Sequence, residues 1–535
     1  MPEPKQRIVV DAVSFTSVFQ FPKIFRAVAM AVQPPRLMVG LLIVAALMTV
    51  GRMWDGVTSP TVPPAGLLAD APTADDAQRA QQVYRQAIEQ YVPADEQPEG
   101  RPAQWPAFTA RDVLAMIQAG YQTQRNEAAS TAEMRRNDEQ YLRTIERIDE
   151  VRPKGTFEAT AMLAADRFRE MFRGTIYLQP DRLLGAAGDL FVRMPITLFV
   201  NYTGFAILFG LIFMLIVALG GGALSRMVAC EFAGQERLRI QEAFDFSFGN
   251  GSRLFLTLLL TLLFVIGISV VIILLGALME LPWIDVIGGL LYGLGLLLGV
   301  AVAFLLICYL AGFSMLIPAV ACENCDAADA QQRAFAYVLN RPLHLIGYGV
   351  IALLGLVFGY FVVSLFATTA LNITAALFGL LTGNSAVSAA GGFELLDLTP
   401  REAGAIHGAW HSRWAAGLIN FWQTIVVMLI IAFVFSYYFA SATIVYLLMR
   451  RVCDGQEMTE IWKPGLVRGT LTPMPEPVVE REGHAEQPRT ADKAAGAAMR
   501  TATAMRYGSK PAEESQSDTD TDQHDVESPG EEKKE

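Results

Sequence analysis

The sequence predicts an all-α integral membrane protein: six transmembrane helices in three hairpin units with cytoplasmic interfacial helices, plus a helical extracytoplasmic domain. Three observations carry the prediction. Of the 535 residues 53% are hydrophobic and only 18% charged, and the apolar residues gather in uncharged runs near the ~20 residues of helix that a bilayer requires. Lys and Arg collect in every second short connection, as the positive-inside rule demands. A phrase is also written twice, "VACEFAGQERLRIQEAFDFSFGN" at 228–250 and "VACENCDAADAQQRAFAYVLNRP" at 320–342, each between two apolar runs.

The runs are 37–51, 197–224, 254–279, 286–317, 345–369 and 418–449. The first is short, but Arg36 and Arg52 can snorkel from its ends. Residues 1–35 read as a cytoplasmic N-terminus whose Phe21, Ile24, Phe25 and Val28 share a face before Pro34 and Pro35 break the pattern. No removable leader is expected, because no small-residue cleavage pattern follows the first run. Transmembrane segment 1 covers 36–53.

Residues 54–193 read as the extracytoplasmic helical domain. Thr73 with Asp76, Thr109 with Asp112 and Ser130 with Glu133 resemble helix starts, and a fourth pattern from Phe157 to Phe172 meets Gly174 as a stop. A five-span membrane domain covers 194–453. Arg226, Arg237, Arg239 and Arg253 mark one connection as cytoplasmic, and Arg333 and Arg341 another; Arg450 and Arg451 mark the exit. Interfacial helices are expected near 234–248 and 326–339, broken by Gly249-Asn250-Gly251 and Asn340-Arg341-Pro342. Phe335 should face the apolar side and Arg333 water. Residues 454–535 are cytoplasmic, and from about residue 464 their Pro, Ala, Ser, Thr and acidic composition predicts a disordered tail. About -8 of the net charge of -11 lies in the last 25 residues.

"RMVACEFAGQE", "AVACENCD" and "RRVCDGQE" read as three versions of one hairpin ending. The stretches "IPAVACENCDAADAQQRAFAYVLNRPLHLIGYGVIAL" and "FSYYFASATIVYLLMRRVCDGQEMTEI" resemble a family of multi-pass membrane proteins from planctomycete-type bacteria. That resemblance implies the membrane fold and carries no catalytic or binding residues with it.

Candidate chemistry is sparse. Cys322-x-x-Cys325, with Cys230 and Cys453, offers in principle a zinc site or a redox dithiol; repetition of the phrase and the habit of small cysteines at helix ends are the preferred account of them. His407 and His411 stand four apart, yet Gly408 occupies the place where a zincin has Glu, and Trp410, Trp414 and Trp422 suit an interfacial helix. The apolar runs hold no Asp, Glu, Lys or Arg, and their polar residues are isolated, such as Asn201, Asn420 and Gln423, which disfavours ion-coupled transport. Gly289, Gly293, Gly295 and Gly299, with Gly355 and Gly359, form faces for close helix packing. No catalytic, cofactor-binding or metal residue is assigned and no cofactor is expected.

The expected function is therefore non-enzymatic: a scaffold or accessory component of the bacterial cytoplasmic (inner) membrane, multi-pass with both termini cytoplasmic. An uncoupled transporter or lipid-handling permease is the alternative. Membrane lipids are the expected partners, with protein partners through the extracytoplasmic domain or acidic tail. Nucleic acid is excluded, because no basic tract interleaved with aromatics occurs.

Overall fold

The structure, a computed structural model, describes residues 21–69, 74–234, 236–280, 285–380, 387, 393, 395 and 410–470. Fifteen helices account for most of them, and no strand occurs among the described residues beyond an isolated bridge between Val62 and Lys154. In chain order, a 3-10 turn Phe21–Phe25 leads into α1 (Arg26–Ala31) and α2 (Pro34–Val57). Next come α3 (Ala74–Tyr91), α4 (Ala110–Glu127), α5 (Thr131–Val151), α6 (Thr156–Ile176), α7 (Pro180–Gly188) and α8 (Met194–Asn201). The remainder is α9 (Thr203–Gly234), α10 (Ile240–Gly249), α11 (Gly251–Ala277), α12 (Asp285–Glu323), α13 (Ala327–Asn340), α14 (Pro342–Gly379) and α15 (Trp410–Asp454).

Seven helical stretches are long and apolar enough to cross a membrane, as in a multi-pass membrane protein: Pro34–Val57, Pro180–Asn201, Thr203–Gly234, Gly251–Ala277, Gly288–Glu323, Pro342–Gly379 and Trp414–Asp454. Pro180–Asn201 is additional to the six apolar runs. The sequence runs 197–224 together, whereas the chain breaks at Tyr202 (φ -132°, ψ 47°) and so separates α8 from α9.

The expected breaks fall where the turn residues put them. Asn250 (φ -114°, ψ 16°) separates α10 from α11, and Arg341 (φ -140°, ψ 58°) separates α13 from α14, whose first residue is Pro342. Helix α13 lies within a residue of its expected span. Helix α10 starts at Ile240 rather than 234, because α9 runs on to Gly234 and Glu242 accepts a 3.0 Å bond from the Arg239 N–H at the new helix start. The buried face of α13 is Ala327, Ala330, Gln331, Ala334 and Tyr337, while Phe335 is half-buried. Arg333 does not face open water; it pairs with Glu323.

Three consecutive glycines govern how the bundle closes. Successive helical residues point about 100° apart, so Gly220, Gly221 and Gly222 of α9 face three directions. A Cβ at Gly220 would strike Ile43 of α2, at Gly221 the ring of Phe439 on α15, and at Gly222 Ser247 and Leu254 of α10 and α11. Gly40 similarly brings α2 onto the backbone of α15, where its Cβ would lie 2.6 Å from the Ala432 carbonyl oxygen. Gly355 and Gly359 of α14 accommodate Tyr437 and Phe433 of α15, as their spacing predicts. Gly289, Gly293, Gly295 and Gly299 differ, for no neighbouring atom lies within 4 Å of any Cβ built on them.

The segment 54–193, expected as one domain, has two parts. Helices α3–α5 share a core of Tyr84, Ile88, Tyr91, Val113, Ile117, Tyr121 and Tyr141 that also takes in Ala416 of α15. Thr109 caps α4 through the expected capping box, and Ser130 caps α5 by accepting from Glu133 N–H; Thr73 lies outside the described residues. Inside this unit the Tyr121 hydroxyl donates to Asp138 at 2.5 Å and Arg125 Nε donates to the same oxygen at 3.0 Å. Burial, then the carboxylate beside it, pushes the Tyr121 hydroxyl pKa up.

Helix α6 instead joins the apolar bundle. Asp55 at the end of α2 accepts from the N–H groups of Phe157 and Glu158 at 2.9 and 2.8 Å, and Phe168 and Phe172 meet Tyr360 of α14 with ring centroids 5.3 Å apart. Gly174 does not stop the helix, which continues to Ile176. A Cβ there would lie 3.0 Å from the Leu183 nitrogen, so Gly174 serves the close approach of α7.

Gly221→Val should cost about 1–3 kcal/mol, the usual range for overpacking, and lower the thermal midpoint of the purified protein in detergent. Gly289→Val, whose surroundings are open, should leave it unchanged. Equal midpoints for the two variants would refute the three-way packing of α9.

Candidate functional site

The ends of α9, α12 and α15 meet at one pole of the bundle, and each end is one of the three repeated phrases. Arg226 of α9 donates 2.9 Å bonds to the carbonyls of Ala321 and Trp462, with its guanidinium carbon 4.8 Å from the Phe246 ring centroid. Glu323 of α12 accepts from Tyr446 Oη at 2.6 Å, pairs with Arg333 and lies 3.5 Å from Arg450. Asp454 of α15 accepts from the Tyr337 hydroxyl. All three C-termini carry the negative end of a helix dipole, so the arginines answer both the carboxylates and the exposed carbonyls.

Beneath this pole the chain breaks just before the first apolar segment. Helix α1 ends at Ala31, Gln33 is extended (φ -62°, ψ 132°), and α2 begins at Pro34. Backbone freed at such a break is tolerated only where protein receives it. Arg36 donates to the Met30 carbonyl at 2.8 Å, and the Ser436 hydroxyl donates to the Ala31 carbonyl at 3.0 Å. Arg36 also pairs with Glu231 at 2.6 Å, and Gln33 Nε2 donates to the other carboxylate oxygen at 2.8 Å. Arg36 is 1% exposed, so it does not snorkel from the end of α2 as the sequence implies.

A strap seals the pole. Gly455 (φ 70°) ends α15 in the left-handed conformation that favours glycine, and the chain turns back over α12. Arg450, fully buried, donates to the carbonyls of Glu457 at 3.0 Å and of Glu460. The Trp462 N–H donates to the Cys322 carbonyl at 2.8 Å, and the Gly469 N–H to the Glu323 carbonyl at 3.0 Å. Residues 464–470, expected to open the disordered tail, are therefore tied to the bundle; the rest of that tail lies outside the described residues. Asn324 (φ 52°) makes the turn beneath the strap, a conformation Asn tolerates better than most residues.

The candidates from the sequence divide. Cys322 and Cys325 are buried under the strap, Cys230 is buried on α9, and Cys453 is half-buried; all are free thiols. Burial, reinforced by Glu323, pushes the Cys325 thiol up to about 12. No group of three or more His, Cys, Asp or Glu among the described residues is arranged to hold a metal. His411 lies on the first turn of α15, and His407 falls outside the described residues. Buried Arg36, Arg226, Glu323 and Arg450 were not singled out as a site from sequence. One signal was available: Glu231, Glu323 and Asp454 each directly follow a cysteine of the repeated phrase, and each finds a partner here.

The chain matches no family model, no curated protein and no solved structure.

Two outcomes follow from the pole's geometry. Arg36→Met leaves Glu231, only 17% exposed, with Gln33 but without its close cation, and should destabilise by about 3–5 kcal/mol. Arg36→Met with Glu231→Met should recover the part due to the unpaired carboxylate, the Met30 carbonyl staying uncovered by Arg36. A double variant as unstable as the single would show that the pair is not what holds the break. Maleimide should label Cys453 first, and raising the pH from 7 to 9 should leave Cys325 protonated and slow because its pKa lies above that window; quantitative mass spectrometry of labelled peptides reads both.

Proposed function

We propose that this chain is a non-enzymatic scaffold or accessory protein of the bacterial cytoplasmic membrane, with both termini cytoplasmic and the α3–α5 unit presented outside. The observation that supports it best is how the polar pole is used. Its buried carboxylates and arginines are engaged with one another and with backbone carbonyls, the pattern of a structural closure rather than a solute path. At the other pole the α3–α5 unit is built onto the bundle: Ala416 of α15 belongs to its core, and Arg135 donates to the Gly379 carbonyl at the end of α14.

Six crossings fit better than seven. Helices α2 and α9 are antiparallel neighbours, joined by Arg36–Glu231 at one end and by Trp54 against Phe205, 5.6 Å between ring centroids, at the other. Between two such helices the chain must cross an even number of times. If Pro180–Asn201 crossed, α6 would have to cross too, and α6 carries Asp166, Arg167, Arg169, Glu170 and Arg173, a costly set for lipid. The α6–α8 hairpin, tied by Arg167–Asp189 at 3.0 Å, is read as packing beside α2 without a crossing of its own. The lipid-handling permease is the second reading; it draws on the open apolar face of Trp414, Gly417, Leu418 and Phe421 on α15.

A cytoplasm-only fluorescent reporter should glow when fused after Glu535 and stay dark when inserted at Gln97. Light at Gln97 would overturn the topology. Purified protein in liposomes should drive no solute uptake under a proton or sodium gradient and should not accelerate lipid flipping; acceleration above empty liposomes would favour the permease over the scaffold.

A further inference from the structure

The pole described above engages three buried arginines and the half-buried Arg333, yet three further cations beside it are left out. Lys23 lies in the Phe21–Phe25 turn, Arg26 opens α1, and Arg451 sits one residue beyond the buried Arg450. Ile24, fully buried, anchors the turn in the core, and α1 lies along α15 through Ala27, Met30 and Ala31. Among the described residues none of the three cations pairs with a carboxylate. Glu231, the nearest acidic group in sequence to the Phe232 ring under Arg26 (5.4 Å to its centroid), is already held by Arg36 and Gln33. Lys23 and Arg26 lie one turn apart on a segment that packs against α15, near whose end Arg451 sits. Burial first, then the like charges of Arg451 and Arg26, hold the Lys23 ammonium below its usual pKa, so Lys23 stands within electrostatic reach of both arginines.

Next to these cations the same segment leaves apolar side chains uncovered. Phe25 is 47% and Val32 45% exposed, and with the small Ala29 between them they follow the i, i+4, i+7 spacing of one helical stripe. Converging cations call for a multivalent anion, and the stripe calls for hydrocarbon. A free phosphate would satisfy only the first.

We propose that Lys23, Arg26 and Arg451 form a headgroup site for an anionic phospholipid, with Phe25 and Val32 along its acyl chain. The site places a bound lipid against the junction of the first and last membrane segments, where α1 meets α15. It rests on the reading of the bundle as membrane-embedded, and that reading fails separately if the full-length chain washes off membranes in alkaline carbonate.

The test uses the delipidated full-length protein in mild detergent, titrated with phosphatidylglycerol or with phosphatidylcholine of the same chains and read by native mass spectrometry. Wild-type protein should retain phosphatidylglycerol in preference to phosphatidylcholine. The Lys23→Gln/Arg26→Gln/Arg451→Gln variant should lose affinity for it on the order of fivefold per cation removed. A control at exposed arginines elsewhere, Arg52→Gln/Arg182→Gln, should bind as wild type. Unchanged thermal midpoints show that the variants are folded; a lowered midpoint in the triple variant is met by repeating the titration with Lys23→Arg/Arg451→Lys, which keeps the charges and should bind as wild type. Phosphatidylglycerol binding that survives in a folded triple variant overturns the proposal. So does displacement of the lipid by equimolar glycerol phosphate, which would make the site a receptor for a free anion.

Discussion

A backbone carbonyl that leaves its helix inside a membrane protein must be received by protein, and the architecture follows from where this chain can meet that demand. The break at Val32–Gln33 is feasible because Arg36 and Ser436 cover the freed carbonyls of Met30 and Ala31. Covering them buries a guanidinium, which then requires Glu231, which fixes where the end of α9 must lie. The glycines at 220–222 let α2, α15 and the α10–α11 corner approach α9 closely enough for these bonds to form. Charge at the pole is thus a consequence of an interrupted helix, and close packing is what makes the charge tolerable.

The strap extends the same logic to the helix ends. Each α-helix leaves its last carbonyls without intrahelical donors, and at the pole three such ends converge. Backbone N–H groups of Trp462 and Gly469 answer α12 directly, while Arg226 and Arg450 bind carbonyls on α12 and on the strap itself. A pole built in this way is polar in composition but dry in geometry. That combination accounts for buried Arg226 and Arg450, while Arg237, Arg239, Arg341 and Arg451 around them stay exposed.

Much of the helix inventory was legible because its determinants are local. Asn250 and Arg341 end helices beside Gly or Pro, and the Thr109–Asp112 capping box spans four residues; both leave signals a short window can read. Close-packing glycines were half legible. Gly355 and Gly359 meet aromatic partners, whereas the richer stripe on α12 meets none, since spacing reveals that a face is smooth but not whether anything lies against it. The pole was illegible for a different reason: Arg36 finds Glu231 at a separation of 195 residues and Ser436 finds Ala31 at 405, distances over which no periodicity carries. Helix α6 misled because its charges suit a soluble domain, while Phe168 and Phe172 on its other side commit it to the bundle.

That long separation also sets a timetable. At ribosomal rates of about 5–20 residues per second, the 195 residues between Arg36 and Glu231 take roughly 10–40 s to emerge, and Ser436 follows only after the Ala31 carbonyl has waited roughly twice as long. The first segment to be made is therefore the last to be satisfied. During that interval the Arg36 guanidinium, which reaches only the Met30 carbonyl locally, and the open carbonyl of Ala31 must be held by the insertion machinery, by water or by lipid headgroups. A ribosome that stalls before α9 leaves a fragment with an uncompensated charge at its first break, a chemically distinct mark by which quality-control proteases can separate unfinished chains from finished ones.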